Sequence, residues 1–154
     1  MPDLVDLSSL TPIGDVALRL AGAAVLGGVM GLEREWLQKP AGLRTHMLVA
    51  LGSAMFVLAP REAGMNVADL SRVMQGVATG VGFIGAGTIL KVASARRIEG
   101  LTTAASLWLA AAVGLAVGAG LWLVPCVSAV LALVILLSAG RGRHEAPGDG
   151  GISS

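Results

Sequence analysis

From Gly100 to Gly140 the chain contains no Asp, Glu, Lys or Arg. A helix of some 40 residues would rise about 60 Å, twice the roughly 30 Å hydrocarbon thickness of a bilayer. One straight helix is therefore excluded, and the run reads as two membrane spans joined by a turn. The turn falls at Gly118-Ala119-Gly120, because glycine accepts the left-handed backbone that closes helices. Spans near 101–119 and 121–139 follow. Pro125 lies in the first turn of the second, where its missing N–H costs least.

The rest of the chain obeys the same rule. Of its 154 residues 55% are hydrophobic and 14% charged, against about 25% charged in a soluble domain. Uncharged stretches predict further spans near 73–92 and 45–60, and a run holding only Asp15 and Arg19 predicts one near 13–32. Both charges sit in the first two turns of that run, where Arg19 can snorkel toward the headgroups. The expected fold is an all-α membrane protein, a compact bundle of about five transmembrane helices over 13–139. An extracytoplasmic segment, 1–12, precedes it and a disordered cytoplasmic tail, 140–154, follows. The 45–60 span is short enough to be a partial one held among the others. The acidic start, Met1–Asp6, lacks the basic region of a cleaved secretory signal. The tail, rich in Gly, Ser and charge, buries too little to fold.

Five spans place Arg34, Lys39, Arg44, Lys91, Arg96, Arg97, Arg141 and Arg143 on one side, and Arg61 and Arg72 on the other. The positive-inside bias then predicts that the N-terminus lies outside and the C-terminus in the cytoplasm. Trp36 and Trp122 fall at span ends and suit the interface, whereas Trp108 lies deeper and is expected to pack inside. A net charge of +1 offers no basic face for phosphates, so no nucleic-acid partner is expected. The single cysteine, Cys126, permits no internal disulfide.

Glycine is abundant, at 22 residues. Gly80, Gly82 and Gly85 satisfy the G-x-G-x-x-G pattern, but a dinucleotide site needs a strand before it and a helix after it. Here the pattern lies inside an apolar run, so the nucleotide reading is rejected. The spacing small-xxx-small recurs at Gly27/Gly31, Gly76/Gly80 and Gly114/Gly118. In lipid such residues let helix backbones approach closely, which is the favoured reading. A second reading makes Gly82–Gly87 a break in the third span, exposing carbonyls to an ion or substrate.

The polar residues gather at span ends. Glu33, Arg34 and Glu35 close the first span, and Gly42-Leu43-Arg44-Thr45-His46 opens the second. A salt-bridged elbow is favoured over a carboxylate-lined mouth in which Glu33 would be the candidate metal ligand. His46 reads as a neutral packed or interfacial residue. Thr102, Thr103 and Ser106 open the fourth span with hydroxyls suited to interhelical hydrogen bonds, and Thr102 to a helix cap. No nucleophile–base pair is visible, so neither an enzyme nor a cofactor is expected.

Four motifs in order carry a family resemblance. They are Arg19-Leu20 with Gly31-Leu32-Glu33-Arg34-Glu35, then Ala41-Gly42-Leu43-Arg44-Thr45-His46, then Gly80-Val81-Gly82-Phe83-Ile84-Gly85-Ala86-Gly87, then Gly100-Leu101-Thr102-Thr103-Ala104-Ala105-Ser106-Leu107-Trp108. Together they resemble the MgtC/SapB family of bacterial inner-membrane proteins. The resemblance implies a multi-pass protein tied to growth in low magnesium and to virulence, acting on other membrane machinery such as ATP synthase rather than moving magnesium. It marks Arg19, Gly31, Glu33, Arg34, Gly42, Arg44, Thr45, Gly82, Gly85, Gly87, Gly100, Thr102 and Thr103 as the functional motif. Many members carry a cytoplasmic regulatory domain after the last span, and this chain reads as the membrane half. The expected partners are the lipid bilayer and another membrane protein, with a homo-oligomer left open. The alternative is a small oligomeric cation transporter or channel built on the glycine-rich third span and Glu33.

Overall fold

A computed structural model describes residues 7–92 and 97–141. Five helices make up the bundle: α1 Leu7–Trp36, α2 Leu43–Glu62, α3 Val67–Gly87, α4 Leu101–Gly118 and α5 Leu123–Arg141. A two-stranded antiparallel hairpin, β1 Leu90–Val92 and β2 Arg97–Glu99, joins α3 to α4, pairing Lys91 with Ile98. Among the described residues the fold is thus helical apart from one short hairpin, which occupies ground expected to be the end of the third span and the loop after it. By length and composition α1, α2 and α4 are each long and apolar enough to cross a membrane, and α5 carries a shorter apolar stretch, Leu123–Ser138. Met1–Asp6 and the tail from 142 onward lie outside the described residues.

Helix α4 touches all four others, and α1, α2 and α4 form the central triad. Their backbones meet through small residues. A Cβ added at Gly27 would lie 2.6 Å from His46 O and 2.7 Å from Ala50 Cβ, both on α2. One at Gly114 or Gly118 of α4 would run into the carbonyls of Ala50 and Ala54. The pairs Gly27/Gly31 and Gly114/Gly118 are therefore packing glycines. Gly76/Gly80 is not: added Cβ atoms there meet nothing within 4 Å. Between the glycine contacts the core is filled by Ala23, Met30, Ala54, Val113 and Val117. Bringing backbones this close gains dispersion contacts that larger side chains would prevent.

Chain reversals follow the expected chemistry. After α4, Gly120 N donates to Val117 O and Leu121 N to Ala116 O, with Gly120 at φ +88°. This closure satisfies carbonyls that α4 leaves without intrahelical donors. α2 ends the same way on Gly64, and α1 ends on Gln38, a residue with a side chain held at φ +50°. Trp108 corrects an expectation: it is 51% exposed, because the buried face of α4 is occupied by Thr103, Ser106, Leu107, Ala110 and Gly114. An indole at that crowded seam would hold the helices apart. Trp122, immediately before α5, lays its ring over Gly22 of α1.

Candidate functional site

The buried polar side chains among the described residues are Glu33, Arg34, His46, Ser53, Thr103 and Ser106. All but Ser53 gather where the C-terminal end of α1 meets the first turns of α2 and α4. The motif residues bring this about by their spacing from helix ends. Glu33 and Arg34 occupy the last turn of α1, and Thr103 and Ser106 lie one turn apart at the start of α4.

Arg34 Nη2 donates to Thr103 Oγ1 at 2.9 Å, a contact between residues 69 positions apart. Arg34 Nη1 also lies 3.5 Å from Glu33 Oε2, and the two side chains are 7% and 5% exposed. Glu33 Oε2 and Arg34 Nε have no hydrogen-bond partner among the described residues. His46, fully buried, is held at both nitrogens, with Nδ1 2.9 Å from Gly42 O and Nε2 3.0 Å from Ser106 Oγ. The carbonyl can only accept, so Nδ1 carries a proton there. Ser106 Oγ is also 2.9 Å from Thr103 O, so its single proton serves either the ring or that carbonyl. The result is a polar clasp linking α1, α2 and α4.

Other motif residues shape this clasp without joining its hydrogen bonds. Gly31 brings α1 onto α2, since a Cβ there would lie 2.9 Å from Gly42 O and from His46 Cβ. Gly42 makes room for Glu35, whose Oε2 accepts from Leu43 N at 2.9 Å and so caps α2 from another helix. An anion at a helix N-terminus suits both the free N–H groups and the helix dipole. Gly85 of α3 sits against Ala104 of α4 at ordinary contact distance. Gly100 precedes α4 at φ +94°, and a Cβ there would strike Thr88 O. Both the backbone angle and the space at Gly100 therefore exclude a side chain.

Several expectations are corrected. Arg44 does not face the acids across the elbow; it is exposed and takes part in none of these contacts. Arg34 takes that role because the last turn of α1 points it inward. Thr102 is exposed and caps nothing, the N-cap of α4 being Gly100. Thr45 is half-buried beside the clasp. Helix α3 runs without a break through Gly82, and Gly82 and Gly87 face open space. No break lies inside α3, which ends at Gly87 with Gly85 O and Ala86 O accepting from Thr88 N and Ile89 N, so the broken-span reading gains no support. Glu33 is a poor metal ligand on its own, because the adjacent guanidinium competes with a cation for its carboxylate. Among the described residues no group of three His, Cys, Asp or Glu could hold a metal ion.

Arg19 belongs to the opposite end, fifteen positions from Arg34, or about 22 Å along α1. It pairs with Asp15 at 2.8 Å and reaches Gly118 O at 3.3 Å. Arg61 donates to Ala119 O at 2.8 Å. Two arginines thus converge on the negative C-terminal end of α4. Sequence reasoning missed Arg61 and the Glu35 cap. The only available signal for either was a charge beside a helix end with a glycine turn opposite. The His46–Ser106 contact spans 60 positions and left no local trace.

A family model described as the MgtC family matches residues 20–143. SrpB of Synechococcus elongatus is 45% identical, over 81% of this chain and 76% of its own length. YhiD of Escherichia coli K12, by its name a proposed magnesium transporter, is 41% identical over 77% of this chain and 58% of its own. MgtC of Brucella abortus is 44% identical over 71% and 45%. The chain therefore spans about half the length of the last two relatives. No solved structure matches.

Proposed function

Because the chain belongs to the MgtC family, we propose that it is a non-enzymatic bacterial inner-membrane protein that modulates other membrane machinery in magnesium-linked homeostasis and stress or virulence adaptation. The observation that carries this reading is the apolar interior between the two polar ends. Ala23, Ala54, Val57, Ala110, Val113 and Val117 are buried there, with Ser53 the polar exception among the described residues. Such an interior suits a body that binds partners better than a conduit, because an ion crossing it would lose its hydration without replacement. In this reading the N-terminus is outside, the clasp lies at the cytoplasmic end, and Arg19 and Arg61 lie at the outer end. The excess of Lys and Arg on the segments flanking the clasp supports that orientation. Exposed Arg44 beside the clasp is the expected contact to the partner.

The test is crosslinking in native membranes followed by purification of the full chain. One defined membrane complex is expected from wild type and not from Arg44→Ala. The name of YhiD favours a second reading, cation transport involving Glu33. Purified protein in liposomes decides between them: magnesium flux abolished by Glu33→Gln would replace the regulatory reading with the transport one.

A further inference from the structure

Helix α3 has two faces of opposite character. Val81 and Gly85 are buried, Gly85 against α4. At about 100° per residue, Asp69, Arg72, Gly76, Gly80 and Phe83 lie on the other side, with Gln75 at the edge of the same face. The side chains of Arg72 and Asp69 are 82% and 46% exposed, and Phe83 is 84% exposed. Cβ atoms added at Gly76 and Gly80 meet nothing within 4 Å. α3 has 21 residues, yet it is not among the helices apolar enough to cross a membrane by composition. Its outer face is one reason. α5 makes the contrast: Val124, Val127, Val130, Val134 and Ile135 shield its backbone with branched side chains suited to lipid.

We propose that this outer face of α3 is the interface of a homodimer. Copies in one membrane share an orientation, so a two-fold axis along the bilayer normal sets two α3 helices side by side and parallel. At such an axis each residue meets itself or its reciprocal. The face is complementary to itself under that operation. Asp69 and Arg72 carry opposite charges one turn apart and are only 3.8 Å from each other. Each Arg72 can therefore exchange that contact for Asp69 of the partner subunit, giving two reciprocal ion pairs. Gly76 and Gly80 have the spacing that lets two helix backbones approach closely in lipid. An unrelated helix would need to supply the matching charges at the same levels, whereas a second copy supplies them necessarily.

The experiment uses the full chain in membranes with Cys126→Ser, so that exposed Cys126 cannot react. Gly76→Cys is expected to oxidise largely to a species of twice the chain mass, and Val130→Cys on the exposed face of α5 only to traces. Gly76→Ile with Gly80→Ile should abolish the dimer in lipid nanodiscs while helical content and thermal stability persist, because both sites are open in the single chain. Arg72→Asp and Asp69→Arg should each reduce crosslinking at position 76 several-fold, and the two together should restore it. A monomeric wild type, equal crosslinking from α3 and α5, capture of a different protein at position 76, or failure of the paired charge swap would each overturn the inference. A monomer would leave the regulatory reading intact, so the two fail separately.

Discussion

The two ends of the bundle are tied by the same device with opposite sign. At one end the Glu35 carboxylate meets the N-terminus of α2, and at the other Arg19 and Arg61 meet the C-terminus of α4. The helix dipole selects the sign in each case. What differs is burial. Glu33 and Arg34 are 5% and 6% exposed, with Arg34 bonded to Thr103, whereas at the other end Arg19 is only partly buried and the Arg61 contact is open to its surroundings. A charge in a dry interior depends on its partner, while one near water can replace it. The clasp end should therefore be intolerant of change and the other end forgiving.

The largest expected effect breaks the clasp. Arg34→Met should cost about 3–5 kcal/mol in unfolding from mixed detergent micelles, because Glu33 is left buried and uncompensated. Glu33→Leu combined with Arg34→Met should recover most of that loss. A single-variant cost below about 1 kcal/mol would remove the contrast between the ends. Next come the glycines, which repeat the contrast between buried and open positions. Gly114→Ala forces a methyl onto Ala50 O and should cost about 1–3 kcal/mol. Gly80→Ala, with open space, should leave the single chain as stable or raise its stability by up to about 1 kcal/mol through helix propensity. Both are read in the same micelle assay, under conditions where the chain is monomeric. A smaller effect, about 1 kcal/mol, is expected for Glu35→Ala, which removes the α2 cap. Arg61→Met should be smallest, below about 1 kcal/mol and weaker still at high salt. Unfolding measured at two ionic strengths checks it.

Much of this was legible from residue order. The uncharged run from Gly100, the turn at Gly120 and the gathering of charge at helix ends all follow from rules that act over a few residues. The clasp was half legible. Glu33, Arg34 and Thr103 stand out as polar residues at span ends, but nothing local pairs Arg34 with Thr103 or turns Arg44 outward. Trp108 misled for the same reason. Its depth in the span is a local property, whereas the direction it faces depends on which side of α4 its neighbours occupy.

Composition and spacing are enough to require membrane helices, to set their approximate number and to mark where they turn. Those outcomes depend on hydrocarbon thickness and backbone geometry, which every stretch of chain meets alone. Gly76-xxx-Gly80 and Gly114-xxx-Gly118 are alike as sequence, yet one faces outward and the other is pressed against α2. That distinction, like the choice of Arg34 over Arg44 for the buried pair, depends on how the helices rotate about their axes when several faces compete for one small core. Such a choice arises only between helices, and no single segment contains it.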